Sequence, residues 1–232
     1  MMKNFISFFT KKGQVVLDPF CGIGSTLVGC DRTGRVGIGI ELNTKYAQIA
    51  QLRSKQKVII GNSLEIDKIW KENNFPQIDF CISSPPYWNI LHRSTGDFEG
   101  KRRKNGYDIK YSEKEDDLGN IEDYETFINK VCSIYSKIYD LMKNGAYICV
   151  IIKNIKKKGK YYPLAWDIAR KLDGLFILKD ERIWCQDKIA LFPYSYPYAW
   201  TSNIVHHYCI ILQKEETKSE PKKHRRYNKK NK

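Results

Sequence analysis

Val15-Val16-Leu17-Asp18-Pro19-Phe20-Cys21-Gly22-Ile23-Gly24-Ser25-Thr26 reads as a buried strand, Val15 to Asp18, that ends in a glycine-rich turn. A helix from Ser25 to Thr33 follows at once. A strand feeding a helix through such a turn is the repeating unit of an open α/β sheet, and these sheets bind ligands at the carboxyl ends of their strands. Gly22 and Gly24 let the backbone approach a ligand closely. A dinucleotide fingerprint would require a third glycine at position 27, where Leu27 stands, so a nicotinamide cofactor is disfavoured.

The same rhythm extends outward. Val36 to Ile40 is a second strand, closed by Glu41, and Asn43 is placed to cap a helix reaching about Arg53. Val58 to Ile60 is a third strand, followed by a helix from about Leu64 to Lys71. Ile78 to Ile82 is a fourth and runs straight into a proline pair. Helical spacing returns from Ile121 to Met142, with Asn144-Gly145 as its stop, and Ala146 to Ile152 is a fifth strand. A helix over 164–172 and strands over 176–185 and 203–212 complete a doubly wound α/β sheet of about seven strands. Residues 1–213 form this single domain. Residues 92–120 interrupt it with a basic cluster, Lys101, Arg102, Arg103 and Lys104, followed by an acidic one; an insert of this length is usually functional or mobile.

Two constellations carry chemistry. Glu41 lies 17 residues after Gly24 at a strand end, where a carboxylate accepts hydrogen bonds from ribose hydroxyls. Gly61-Asn62-Ser63, at the third strand end, can offer a polar side chain to an adenine ring. Together with the Asp18 to Thr26 turn they predict a nucleoside cofactor.

The second constellation is Ser84-Pro85-Pro86-Tyr87. Two prolines directly after an apolar strand cannot extend the sheet and fix a rigid exit from it. They position a hydroxyl, a carbonyl and an aromatic ring. A base amino group is a poor nucleophile because its lone pair is delocalised into the ring. Ser84 Oγ and the Pro85 carbonyl can accept its two N–H bonds and draw the nitrogen toward tetrahedral geometry, while Tyr87 stacks on an extruded base. Taken alone, Pro-Pro-Tyr is equally a loop signal beside a core tyrosine.

The joint pattern Asp18-Pro19-Phe20-x-Gly22-x-Gly24-Ser25-Thr26, Gly39-Ile40-Glu41-Leu42 and Ser84-Pro85-Pro86-Tyr87-Trp88 closely resembles the amino-group DNA methyltransferases of prokaryotes and their phages. The resemblance implies S-adenosylmethionine as cofactor and a mostly parallel, Rossmann-like sheet whose last strand is antiparallel. It implies Asp18, Phe20, Gly22, Gly24 and Thr26 near the methionine part, Glu41 on the ribose, and Leu42, Asn62 and Ser63 around the adenine. Phe5 to Gly13 looks like a shortened form of the family's helix that closes over the methionine end. Serine in the first catalytic position is similar to members that modify N4 of cytosine; those modifying N6 of adenine more often carry Asp or Asn there. Methylation at carbon 5 of cytosine needs a cysteine nucleophile, which that family presents after proline, and this chain has no Pro-Cys pair. The cofactor motif precedes the catalytic one, whereas many small relatives run the other way, and no separate target-recognition domain is evident.

Composition agrees with this reading. The net charge is +14, and nine Lys or Arg against three Glu from Lys214 onward still leave +8 on the body. An excess of this kind favours a polyanion, here double-stranded DNA. The tail, 214–232, has almost no apolar residues and should be disordered when free. If the chain reads sequence, the 92–120 insert and the basic loop from Lys153 to Lys160, with Lys156, Lys157 and Lys158, contribute, or a partner subunit does. A cognate restriction enzyme is the other companion the resemblance allows; the oligomeric state is open. An RNA base amino-methyltransferase and a non-catalytic nucleic-acid-binding subunit are the rival readings. No apolar run approaches the roughly 20 residues that span a bilayer, so a cytoplasmic protein is expected. Seven scattered cysteines without C-x-x-C spacing fit neither a disulfide framework nor a zinc site, and no metal is expected. Phe192 to Trp200, rich in rings and prolines, can line a base pocket or pack as a surface loop, and His206-His207 reads as structural.

Overall fold

A computed structural model describes residues 1–88, 117–157, 159–191, 193–194 and 201–215. Its centre is one seven-stranded sheet. The strands are β1 (Val15–Asp18), β2 (Val36–Glu41), β3 (Lys57–Ile60), β4 (Ile78–Ser83), β5 (Met142–Ile152), β8 (Phe176–Cys185) and β11 (His206–Lys214), in the order β3-β2-β1-β4-β5-β11-β8. Pairs from β3 to β5 are parallel, and β11 runs antiparallel to both β5 and β8. Helices α1 (Met2–Phe9), α2 (Ser25–Thr33) and α3 (Thr44–Arg53) precede α4 (Ile66–Glu72), α5 (Tyr124–Leu141) and α6 (Leu164–Leu172) in the chain. This is the doubly wound, mostly parallel sheet with an antiparallel last strand that the sequence predicts.

All six residues of β4 are buried, as expected for a central strand covered on both faces. On one face Phe5 and Ile6 of α1 pack with Val16, Phe80, Ile82, Cys149 and Ile211. On the other, α4, α5 and α6 bury Ile66, Phe127, Tyr135 and Ile168 in the larger cluster. The strand order reverses between β1 and β4, which opens a crevice at their carboxyl ends. Asp79 braces the opposite end. Its carboxylate accepts hydrogen bonds from the Val15 N–H (2.9 Å) and Gln14 Nε2 (3.0 Å) and forms an ion pair with Lys143 Nζ (2.7 Å), tying the starts of β1, β4 and β5 together.

Several elements differ from expectation. The helix α5 stops at Leu141, and Asn144-Gly145 lies inside β5 rather than ending the helix. There the β4–β5 register slips between Ile78 and Phe80, and Gly145 takes φ +75°, the mark of a bulge. The basic loop 153–160 folds as a hairpin, β6 (Ile155–Lys157) with β7 (Lys160–Tyr162), turning at Gly159 with φ +73°. The last strand includes Lys214, the position from which a tail is expected, and its Nζ donates to the Tyr139 and Met142 carbonyls. The insert ends sooner than position 120: Asp117 and Leu118 are already buried. A short pair, β9 (Pro193–Tyr194) with β10 (Thr201–Ser202), is what the structure describes of the aromatic segment and its end; Phe192 and 195–200 lie outside the described residues, as do 89–116, Lys158 and 216–232. Among the described residues no helix is long and apolar enough to cross a membrane.

Asp79→Ala would leave the buried Val15 N–H without its acceptor. It should lower unfolding free energy by about 2 kcal/mol, read from the urea midpoint. A loss under about 0.5 kcal/mol would show that Asp79 does not hold the strand starts together.

Candidate active site

The crevice holds a cavity of about 280 Å³ lined from both constellations. Pro19, Phe20 and Gly22 come from the turn after β1, and Ile40 to Asn43 with Tyr46 from the end of β2 and the start of α3. Asn62 and Ser63 follow β3, and Ser84 to Tyr87 follow β4. Asp117 and Leu118 close it from the far side of the insert.

The glycine turn is pinned from beneath. Glu41 Oε2 accepts from the Gly22 N–H and Oε1 from the Asn43 N–H, both at 2.8 Å. A carboxylate has about four acceptor positions, so both oxygens can still take ligand hydroxyls. Gly24 takes φ +82°, and a Cβ there would sit 2.9 Å from Ala50 Cβ; glycine is required by both backbone and space. A Cβ at Gly22 would meet nothing within 4 Å, so the cavity wall is open at that point. Asn62 Oδ1 accepts from the Leu64 N–H (3.0 Å), which leaves its NH2 as the group that can face a ligand. The Ser63 hydroxyl donates to the Pro19 carbonyl and ties the third strand end to the first.

Asp18, Gly24 and Thr26 do not line the cavity, and Asp18 and Thr26 are buried. Thr26 Oγ donates to Asp18 Oδ2 (2.5 Å) and the Phe20 N–H to Oδ1 (3.1 Å). Burial pushes the Asp18 carboxyl up to about 7, those two hydrogen bonds oppose the rise, and the nearby Glu41 charge adds to it. Burial also raises Glu41 above its ordinary value, against the pull of the Asn43 and Gly22 N–H groups, and Asp117 adds to the rise. Helix α1 contributes no residue to the cavity wall; it covers the sheet face instead.

The proline turn is held on three sides. Ser83, fully buried, shares a 2.8 Å hydrogen bond with the Tyr135 hydroxyl of α5. Trp88 Nε1 donates to the Glu122 carbonyl (3.1 Å), and the indole packs against Tyr124 and Tyr162. The Tyr87 hydroxyl lies 2.7 Å from His207 Nε2 on β11. Ser84 is half-buried at the cavity wall and Pro85 is buried beside it. Burial raises the Cys21 and Cys81 thiols, so neither is a ready thiolate nucleophile.

Of the basic residues, Lys157 Nζ sits 3.7 Å over the Trp88 ring, and Lys156 Nζ donates to the Ser202 carbonyl. Both belong to the hairpin beside the proline turn. Lys101, Arg102, Arg103, Lys104 and Lys158 lie outside the described residues. Sequence reasoning missed Tyr46, Asp117, Leu118 and His207. Asp117 had no local signal beyond membership of an acidic run. No group of residues that could hold a metal ion occurs among the described residues.

Residues 1–52 match the DNA methylase family of N6 and N4 methyltransferases. The chain is 28% identical over 152 residues to a probable tRNA (guanine(10)-N2)-dimethyltransferase of Methanothermococcus thermolithotrophicus, covering 58% of this chain and 93% of that protein. It is 42% identical over 53 residues to the type II methyltransferase M2.DpnII of Streptococcus pneumoniae, covering 23% of this chain but only 20% of that enzyme. A S-adenosylmethionine-dependent methyltransferase from Methanosarcina mazei superposes with a TM-score of 0.54 at 13% identity, covering 91% and 97% of the two chains. The cavity's lining fits that cofactor: the Glu41 carboxylate for a diol, apolar walls with the Asn62 amide for a flat base, and the acids Glu41 and Asp117 for a cation.

Asp18 is largely neutral below about pH 7 and charged above it. A cationic ligand favours the charged form, so binding should release a proton and strengthen as pH rises. Between about pH 6 and about pH 8 the affinity for S-adenosylmethionine, measured by calorimetry, should rise several-fold, and Asp18→Asn should flatten the trend. An equal slope in both proteins would contradict this coupling.

Proposed function

Taking the chain as a relative of the amino-group DNA methylases on a S-adenosylmethionine-dependent methyltransferase fold, we propose that it methylates the exocyclic N4 amino group of cytosine in double-stranded DNA. The observation that carries this reading is the shared cavity: Ser84, Pro85, Pro86 and Tyr87 line the same space as Phe20, Gly22, Glu41 and Asn62. An amino group bound at Ser84 therefore meets a nucleoside-borne methyl donor bound at Glu41.

The chain's part in the reaction is placement and lone-pair release. Ser84 Oγ and the Pro85 carbonyl accept the two N–H bonds of the base, and Tyr87 stacks on its ring. S-adenosylmethionine supplies an electrophilic methyl group on a sulfonium. Once nitrogen has formed its bond to that carbon and the sulfur–carbon bond has broken, the amino nitrogen is cationic and its proton passes to water. A strong general base is not needed, which agrees with a turn that offers a hydroxyl and a carbonyl. The serine of the motif supports cytosine over N6 of adenine. The basic body and the Lys156–Lys157 hairpin beside the turn support a nucleic-acid substrate; a specificity subunit or a cognate restriction enzyme are the partners this reading would include.

One observation favours a second reading. The archaeal relative covered along 93% of its length is named for N2 of a tRNA guanine, also an exocyclic amino group. An RNA amino-methyltransferase would use the same turn. Competition in a methyl-transfer assay separates the two: duplex DNA should suppress transfer to labelled DNA, and structured RNA should not. The reverse would favour RNA.

Ser84→Ala removes one acceptor from the amino group and nothing from the nucleoside site. It should lower kcat by about 10²-fold while the cofactor Kd changes less than about twofold. An unchanged kcat would refute the role given to that hydroxyl.

A further inference from the structure

His207 is the second residue of the last strand, far in sequence from both constellations, yet its Nε2 lies 2.7 Å from the Tyr87 hydroxyl. The ring is 7% exposed and stacks on Trp184 at 4.8 Å and 27°. Its Nδ1 is buried with no hydrogen-bond partner among the described residues. A buried polar atom left unpaired is unfavourable, so packing alone would place an aliphatic side chain here. What the histidine adds is a hydrogen bond to a ring that lines the cavity.

The imidazole is suited to that task because it stays uncharged. Burial lowers it to about 4, and Lys153 and His206 add to the effect. Near neutral pH it binds the phenol without placing a cation against the base. A tyrosine ring moves about two side-chain torsions; anchoring the hydroxyl at its far end fixes where the ring axis points, and the preference of a phenol O–H for the ring plane restrains rotation about that axis. The anchor belongs to β11, which is hydrogen-bonded along β5 and β8, so the ring is held by the sheet as well as by the proline turn.

We propose that His207 is a positioning residue that holds the Tyr87 ring in the place where it stacks on the extruded base. This rests on the reading of Ser84 to Tyr87 as a base-amino site. It predicts that His207 acts only through the Tyr87 hydroxyl, which a merely structural histidine would not do.

A double-mutant cycle tests it, with methyl transfer measured on a duplex substrate and folding checked by thermal unfolding. His207→Leu and Tyr87→Phe should each lower kcat by about tenfold, and the double variant should be no worse than either, because both remove one hydrogen bond. His207→Gln, whose amide nitrogen reaches about the position of Nε2, should recover activity to within about threefold of wild type. KM and cofactor Kd should stay within about twofold throughout. Losses that multiply in the double variant, or a His207→Leu enzyme as fast as wild type, would overturn the proposal. If His207→Leu fails to fold, the remaining pair decides: full activity in Tyr87→Phe, or no recovery in folded His207→Gln, would overturn it. Wild-type enzyme that methylates another base amino group instead of cytosine N4 would defeat the assignment of the target base, while the same cycle on that substrate still tests His207.

Discussion

The parallel pairing of β1 with β4 is the constraint on which the rest of the molecule depends. Val16 pairs with Phe80 and Leu17 with Cys81, so both strands end at the same height and on the same edge of the sheet. Parallel strands must leave the sheet at a common edge, and the helices that follow depart to opposite faces at the point where strand order reverses. The glycine turn after Asp18 and the proline turn after Ser83 therefore meet across one crevice although 66 residues separate Asp18 from Ser84. A slip of one residue would turn every side chain of β4 to the opposite face and carry Asp79 away from Val15 and Ser83 away from Tyr135.

Given that register, rigidity comes from buried polar ties rather than from the turns alone. Glu41 grips the Gly22 N–H, Ser63 grips the Pro19 carbonyl, Ser83 meets Tyr135, and Trp88 meets the Glu122 carbonyl. Each ties a turn, or the strand end that leads into it, to a different part of the chain, so neither turn moves without breaking a satisfied bond. The consequence for function is preorganisation. Transfer between two bound groups gains most when the reacting atoms are held near contact before reaction, and little when the site must reorganise. The buried acids beneath the glycine turn add an electrostatic preference for a cationic ligand, strongest once Asp18 is ionised.

What could be read from sequence was local. The Val15–Asp18 strand, the Gly22 and Gly24 turn, the Asn43 cap and the proline exit after Ser83 each announce themselves within a few residues, because backbone restriction and capping act at that range. Features set by distant contacts stayed hidden. Asn144-Gly145 has the composition of a helix stop, yet pairing with β4 absorbs it as a bulge. The Lys153 to Lys160 segment looks like a solvated charge run, and only its antiparallel pairing makes it a hairpin that lays Lys157 on Trp88. Asp117 reads as one more acid in an insert, and its burial at the cavity is decided by how the chain returns to α5. His207 pairs with Tyr87 across 120 positions, a contact that no spacing rule anticipates.

In the function we propose, the crevice between β1 and β4 brings a methyl donor to a base amino group held at Ser84 and Pro85. The most direct measurement is mass spectrometry of nucleosides from duplex DNA treated with this protein and S-adenosylmethionine bearing a deuterated methyl group. The label is expected in N4-methyldeoxycytidine, accumulating about 10²-fold more slowly when Ser84 is replaced by alanine. Label at carbon 5 of cytosine, or no label in DNA or RNA, would contradict it.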